Sequence, residues 1–410
     1  MTPPDRPVMP MLFPYVLGFV LLSACSAKMP AQVDPLPKPG PEALRVGAER
    51  MAEYLPLLKD KRVAVITNQT GRVGRAHLVD TLMSLGVRIT KVFAPEHGFR
   101  GDADAGEHVK DGRDARTGLP LVSLYGENKR PKPEQLQDVD VLLFDIQDVG
   151  VRFYTYIGTL HYVMEAAADA KLPVVVLDRP NPNGFYVDGP VLDPAHRSFV
   201  GMHPVPLVHG MTVGEFAMMI VGEGWLGGDR QVALTVIACA GYDHRMAYAP
   251  PVRPSPNLPN LSAVMLYPAL GLFEGTVVSV GRGTDAPFQC IGFPGCTLGA
   301  YRFTPRPMPG AKDPPYHGRE CTGLDLSEYG TFYSRLDPRL HLGWLIGMYE
   351  AAADKDGFFT PFFDKLAGGP DLRERIRRGE SEELIRASWK PALEAFRAVR
   401  VRYLLYPEGP

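Results

Sequence analysis

The chain carries almost no surplus of charge. Its 44 Lys and Arg residues face 46 Asp and Glu, a net charge of -2, with no basic stripe. Strong nucleic-acid binding is therefore not expected. Nucleotide-binding signatures are missing as well. Gly71-x-x-Gly74 follows the first predicted strand, but the full Gly-x-Gly-x-x-Gly does not, and no Gly-Lys-Ser/Thr loop follows any strand. No nucleotide or other cofactor is expected. Gly281-Arg282-Gly283 matches only in part, and a turn beside a substrate is the simpler account. No Gly-x-Ser-x-Gly elbow occurs, which disfavours a serine hydrolase of the usual α/β type. The acidic run 102–108 lacks the spacing of a calcium loop, and His-Glu-x-x-His is absent; a solvated loop without metal is the expectation. Cysteine is scarce, five in all, with no Cys-x-x-Cys. Cys290 and Cys296 leave a disulfide through a turn and two buried thiols equally open.

What is present begins with an N-terminus that does not belong to the fold. Met11 to Leu22 is an apolar run too short to span a membrane and of the length of a signal h-region. It ends in Leu22-Ser23-Ala24-Cys25, similar to the bacterial lipobox, with Cys25 as the lipidated residue; an ordinary secretory signal is the alternative. Residues 26–43 hold Pro30, Pro35, Pro37, Pro39 and Pro41 and read as an extended tether. The expectation is an exported lipoprotein, anchored in a membrane by its lipid only, with its body facing the periplasm or cell envelope.

From residue 44 the pattern alternates helix and strand. Helices are predicted over 44–58, 75–85 and 157–170. Strands are predicted over 61–67, 87–93, 139–145 and 173–177, all near-continuous apolar runs. That is the signature of a parallel sheet covered on both faces. Each strand ends in a polar loop: Asn68 to Gly71, Glu96 to Gly98, Asp145 to Gly150, and Asp178 to Pro182. In a parallel sheet these converge on one edge, where ligands bind in open α/β folds. Five prolines between 250 and 259 mark a crossover. Beyond it a short strand, 277–280, and helices around 338–352 and 381–397 suggest a smaller α+β domain. The expected division is 44–262 and 263–410, with the active-site cleft between the two.

Glu96 and His97 put an acid and a titratable base on a loop stiffened by Pro95. Glu274, between Phe273 and Gly275, offers a second carboxylate from the other half; a turn carboxylate is its bland reading. Two carboxylates across a scissile bond can hydrolyse a glycoside. Asp145 and Asp148, which bracket Gln147, could orient sugar hydroxyls or tune the acid; a surface-exposed turn is the alternative. Arg152, Tyr154 and Tyr156 place a cation beside two aromatic faces, although the tyrosines suit a core equally well.

Taken in order, the motifs resemble one family. They are Thr67-Asn68-Gln69-Thr70-Gly71, Pro95-Glu96-His97-Gly98-Phe99-Arg100-Gly101, Ser123-Leu124-Tyr125-Gly126, Phe144 to Gly150, Arg152 to Tyr156, Asp178 to Pro182, Phe273-Glu274-Gly275-Thr276 and Gly281-Arg282-Gly283-Thr284. The family is the exo-β-N-acetylmuramidase NamZ family, formerly DUF1343, and the resemblance runs over about residues 44–406. It implies a Rossmann-like domain joined to a smaller C-terminal domain, and release of N-acetylmuramic acid from the non-reducing end of peptidoglycan-derived fragments. It implies acidic roles for Glu96 and Glu274, with His97, Asp145 and Gln147 in support. The lactyl carboxylate of such a sugar needs an arginine or an amide nest; Arg282 and Arg152 are the candidates, with Arg282 alternatively paired to Asp285. Asn68, Tyr154 and Asp285 complete the expected substrate contacts. One departure is Pro294-Gly295, where an aromatic-bearing loop is expected on the aglycone side. Two other readings remain: a muropeptide-binding lipoprotein without turnover, and a hydrolase of another amino sugar.

Overall fold

Four apolar runs set the frame. In the computed structural model, which describes residues 43–96, 98–100 and 112–408, strands β1 (Val63–Thr67), β2 (Ile89–Ala94), β3 (Gly112–Arg113), β4 (Pro120–Ser123), β5 (Val141–Asp145), β6 (Val174–Leu177) and β7 (Leu234–Ile237) form one sheet. Its order is β7-β6-β5-β1-β2-β4-β3, parallel except for the β3 edge. Every residue of β1, β5 and β6 is buried. Alternate side chains enter separate cores: Ala64, Ile66, Leu142 and Phe144 on one face, Val63, Val65, Val141 and Leu143 on the other. A sheet buried on both faces needs apolar residues at every position, which is why these strands read as unbroken runs.

The smaller part carries a three-stranded antiparallel sheet of β8 (Cys290–Phe293), β9 (Tyr301–Phe303) and β10 (Cys321–Asp325), in the order β8-β10-β9, with helices after it. The fold class is thus a Rossmann-like, mostly parallel sheet with a smaller α+β part. The two are laced together, and the described residues pack as one compact unit. Tyr406 donates to Asp178 at the end of β6 over 2.6 Å and accepts from the Cys239 amide at 2.8 Å. The helix Glu382–Arg400 buries Ile385, Trp389, Leu393 and Phe396 along one stripe.

Three predicted elements change. The helix over 44–58 is only Met51–Leu58 (α1), after a single 3-10 turn. Upstream, Arg45 exchanges backbone hydrogen bonds with Ala240, and Gly47 donates to the Asp178 carbonyl, so this stretch is spent on the sheet edge. The helix over 75–85 starts only at Leu78 (α2, Leu78–Ser84), where the His77 ring accepts from the Val79 amide; a two-residue hairpin precedes it. Residues 277–280 are not a strand. Val277 bonds to Phe358 while Ser279 pairs with Gly292, so no single ladder forms.

The apolar run, Cys25, most of the tether, His97 and the 102–108 run lie outside the described residues. Among the described residues no helix is long and apolar enough to cross a membrane. Cys239, Cys290, Cys296 and Cys321 are free and buried, so Cys290 and Cys296 do not pair.

Candidate functional site

Glu96 sits in the turn after β2, at the carboxyl edge of the sheet. Thr155, just before the helix α3 (Tyr156–Ala170), donates its hydroxyl to Glu96 Oε2 over 3.3 Å. Glu274 comes from the opposite side. It lies on a 3-10 turn, Gly271–Gly275, that continues the helix α4 (Leu261–Leu270). Gly275 is required there: a Cβ would fall 2.4 Å from the Phe363 Cα. Both carboxylates line one cavity of about 210 Å³. Its wall is shared between the two parts of the molecule.

Arg282 joins Glu274 in that wall. Its Nε and Nη2 both donate to Glu274 Oε1, at 3.0 and 2.6 Å. The turn that aims it has Gly281 and Gly283 at φ of +76° and +82°, values that side-chain-bearing residues avoid. Burial alone would lower the Arg282 pKa, but the Glu274 carboxylate more than offsets this, and the net shift is upward. The guanidinium lies 5.0 Å from the centre of the Phe288 ring. Phe288 itself has φ of +54°, a strained backbone of the kind that collects at functional sites.

The rest of the wall is aromatic. Tyr154 meets Tyr156 and Tyr267 edge-on, at 4.9 and 5.7 Å between ring centres. Tyr267 in turn meets Phe153 and Phe288. Burial raises the hydroxyl pKa of Tyr154, Tyr156 and Tyr267, so all three remain neutral donors. Asn68 lies behind this layer and fixes it, donating to the Tyr156 hydroxyl at 2.9 Å.

Other predicted site residues lie elsewhere. Asp145 is fully buried and bound to Arg179 through both oxygens, at 2.6 and 2.9 Å; it braces loops and does not line the cavity. Gln147 is spent on the Asp148 and Pro180 carbonyls and the Tyr248 hydroxyl. Arg152 donates to the carbonyls of Pro190, Val205 and Leu366. Burial brings it down to about 9, so it stays a cation, but one enclosed by backbone and out of reach of a sugar carboxylate. Asp285 is exposed and outside the cavity wall, and Arg282 pairs with Glu274 rather than with it. Pro294 and Gly295 also lie outside this wall. Tyr267, Phe288 and Thr155 were not singled out from sequence. The available signal for Tyr267 was its place two helical turns before Glu274, on the same continuous run.

The profile described as "Exo-beta-N-acetylmuramidase NamZ, N-terminal" matches residues 63–262, and its C-terminal counterpart matches residues 265–406. The chain belongs to the exo-β-N-acetylmuramidase NamZ family. A relative from Bacillus subtilis (strain 168), the peptidoglycan beta-N-acetylmuramidase NamZ, is 38% identical over 96% of this chain and 99% of its own. Two crystal structures of DUF1343 family proteins from Bacteroides fragilis NCTC 9343 share the NamZ-family fold. One is 44% identical with a TM-score of 0.83, covering 89% of this chain and 99% of the other. The second is 30% identical with a TM-score of 0.71, covering 88% and 99%.

Proposed function

We propose that this chain is an exo-acting glycoside hydrolase that releases N-acetylmuramic acid from the non-reducing end of peptidoglycan fragments, MurNAc-GlcNAc units among them. In this reading Glu96 and Glu274 are its carboxylate pair. The observation that carries it is the convergence of Glu96, Glu274 and Arg282 on one cavity, in a chain of this family. Glu96, beside the Thr155 hydroxyl, is the proton donor to the glycosidic oxygen. Glu274, already ion-paired, is the anionic partner. Arg282 presents a guanidinium to the acidic substituent that sets muramic acid apart from glucosamine. The cavity is smaller than the roughly 300–1,000 Å³ of common ligand pockets, which suits one terminal sugar rather than a run of them. The aromatic wall supplies apolar faces to a pyranose ring.

The N-terminal pattern ending in Leu22-Ser23-Ala24-Cys25 supports an exported, lipid-anchored form. Cys25→Ala is then expected to move the chain from the membrane fraction to the soluble fraction. The activity is tested with two chromogenic glycosides side by side. The muramide should be hydrolysed and the N-acetylglucosaminide left intact. Hydrolysis of the second alone would move the substrate assignment to another amino sugar, and tight muropeptide binding without turnover would make the chain a binding protein.

A further inference from the structure

The cavity that holds Glu96 and Glu274 has a floor and a mouth. Tyr154, Tyr156, Tyr267 and Phe288 line it and are buried, while Glu96, Glu274 and Arg282 are half-buried. Among the described residues of its wall Phe362 alone is exposed, at 39%. That ring marks the opening.

The chain fixes Phe362 beside the turn that carries Glu274. Thr360 donates its amide to the Gly275 carbonyl at 2.9 Å, and Thr276 and Phe359 form a β-bridge. The Phe362 amide donates to the Thr360 hydroxyl at 3.3 Å. Phe363, next in the chain, is fully buried and packs against Gly275. The backbone at 362 is thus anchored on both sides. The ring is left uncommitted. Phe358, Phe359 and Phe363 meet edge-on in a row, whereas Phe362 meets no other ring among the described residues. A ring left this far in water gains less from folding than its buried neighbours do. Its position at the mouth of a ligand cavity gives it a surface to offer.

An exo-acting glycosidase encloses one terminal sugar. The rest of the fragment leaves through the mouth, whichever way the terminal ring is turned. The cleaved bond lies at the carboxylates, so the first unit past them is the sugar on the leaving side. The C–H faces of a pyranose are apolar, and an aromatic ring removes them from water.

We propose that Phe362 stacks on the leaving sugar and is a specificity-determining residue for the group bonded to muramic acid. The proposal rests on the muramidase reading above for what fills the cavity. It makes a pyranose a better leaving-side occupant than a small alkyl group, through a residue that does not touch the reacting atoms.

The test is calorimetric binding of two sulfur-linked ligands to the full chain. One is methyl 1-thio-β-N-acetylmuramide, and the other is the thio-linked disaccharide of N-acetylmuramic acid and N-acetylglucosamine. The sulfur resists cleavage, so turnover does not enter. The disaccharide should bind roughly tenfold more tightly, the worth of one aromatic stacking contact. Phe362→Ala should bring the ratio to about one, and Phe362→Tyr should keep it. Both ligands are measured on the same protein, so a change in stability cancels from the ratio. Equal binding by the wild type, a ratio that survives Phe362→Ala, or one lost in Phe362→Tyr overturns the stacking role. A chain that shows the ratio yet releases nothing from the muramide overturns the hydrolase reading and leaves the stacking role standing. One that cleaves the muramide without the ratio does the opposite, and one that neither binds nor cleaves overturns both.

Discussion

Two arginine–carboxylate pairs stand at the carboxyl edge of this fold, and they differ in what they leave over. Arg179 and Asp145 are almost fully enclosed, with side chains 3% and 0% exposed, and each carboxylate oxygen takes a guanidinium hydrogen. Arg282 and Glu274 are 21% and 26% exposed, and both bonds go to the same oxygen. Glu274 Oε2 takes no bond from the protein among the described residues. The first pair is complete without a ligand. The second has an unused acceptor and faces a cavity. Burial and spare bonding capacity, not residue type, separate a brace from a site.

Substitutions at the two pairs should have opposite effects on turnover and stability. Glu274→Gln should remove about 10³-fold or more of the turnover of the chromogenic muramide while leaving the thermal midpoint nearly unchanged. Asp145→Asn should do the reverse. It strands a buried guanidinium and should cost about 3–5 kcal/mol of stability in a denaturant melt, with turnover per folded molecule retained. Arg282→Gln should lower kcat/KM on the muramide by roughly ten- to a hundredfold, with less than about 1 kcal/mol lost in the same melt.

Asp148 is a third case, a buried carboxyl with no cation beside it among the described residues. Burial pushes it up to about 7 from 3.8, against hydrogen bonds from the Gly150 and Val149 amides. Its Oδ2 has no hydrogen-bond partner among the described residues. The folded state therefore holds this proton more tightly than the unfolded chain. Its contribution to stability is complete below about pH 4 and declines as pH rises through 7. Asp148→Asn should therefore raise the thermal midpoint at pH 8, by the equivalent of on the order of 2 kcal/mol, and change it little at pH 4.

Much of this was legible in the sequence, for reasons that also explain what was not. The runs at 63–67, 141–145 and 174–177 declared themselves because a doubly covered sheet tolerates no polar position. Glu96 and Glu274 stood out on short loops bounded by proline and glycine. The polar loops after β5 and β6 were read as cleft walls, yet Asp145, Gln147 and Asn183 bond to one another's loops, and Asp178 accepts from Thr212, Gly214 and Tyr406. Which neighbour each would meet depends on strand order and register, which composition does not carry. Arg152 looked free for the same reason, because its carbonyl partners come from three distant segments. Tyr267 sits in a helix buried from Ser262 to Leu270, where an aromatic wall and an aromatic core have the same periodicity.

Glu96 and Glu274 are proposed to work together across one cavity. The most direct measurement is the turnover of the chromogenic muramide by Glu96→Gln, with circular dichroism confirming the fold. A folded protein whose rate has fallen about 10³-fold or more is expected, as for Glu274→Gln. A folded Glu96→Gln protein with wild-type turnover would contradict it.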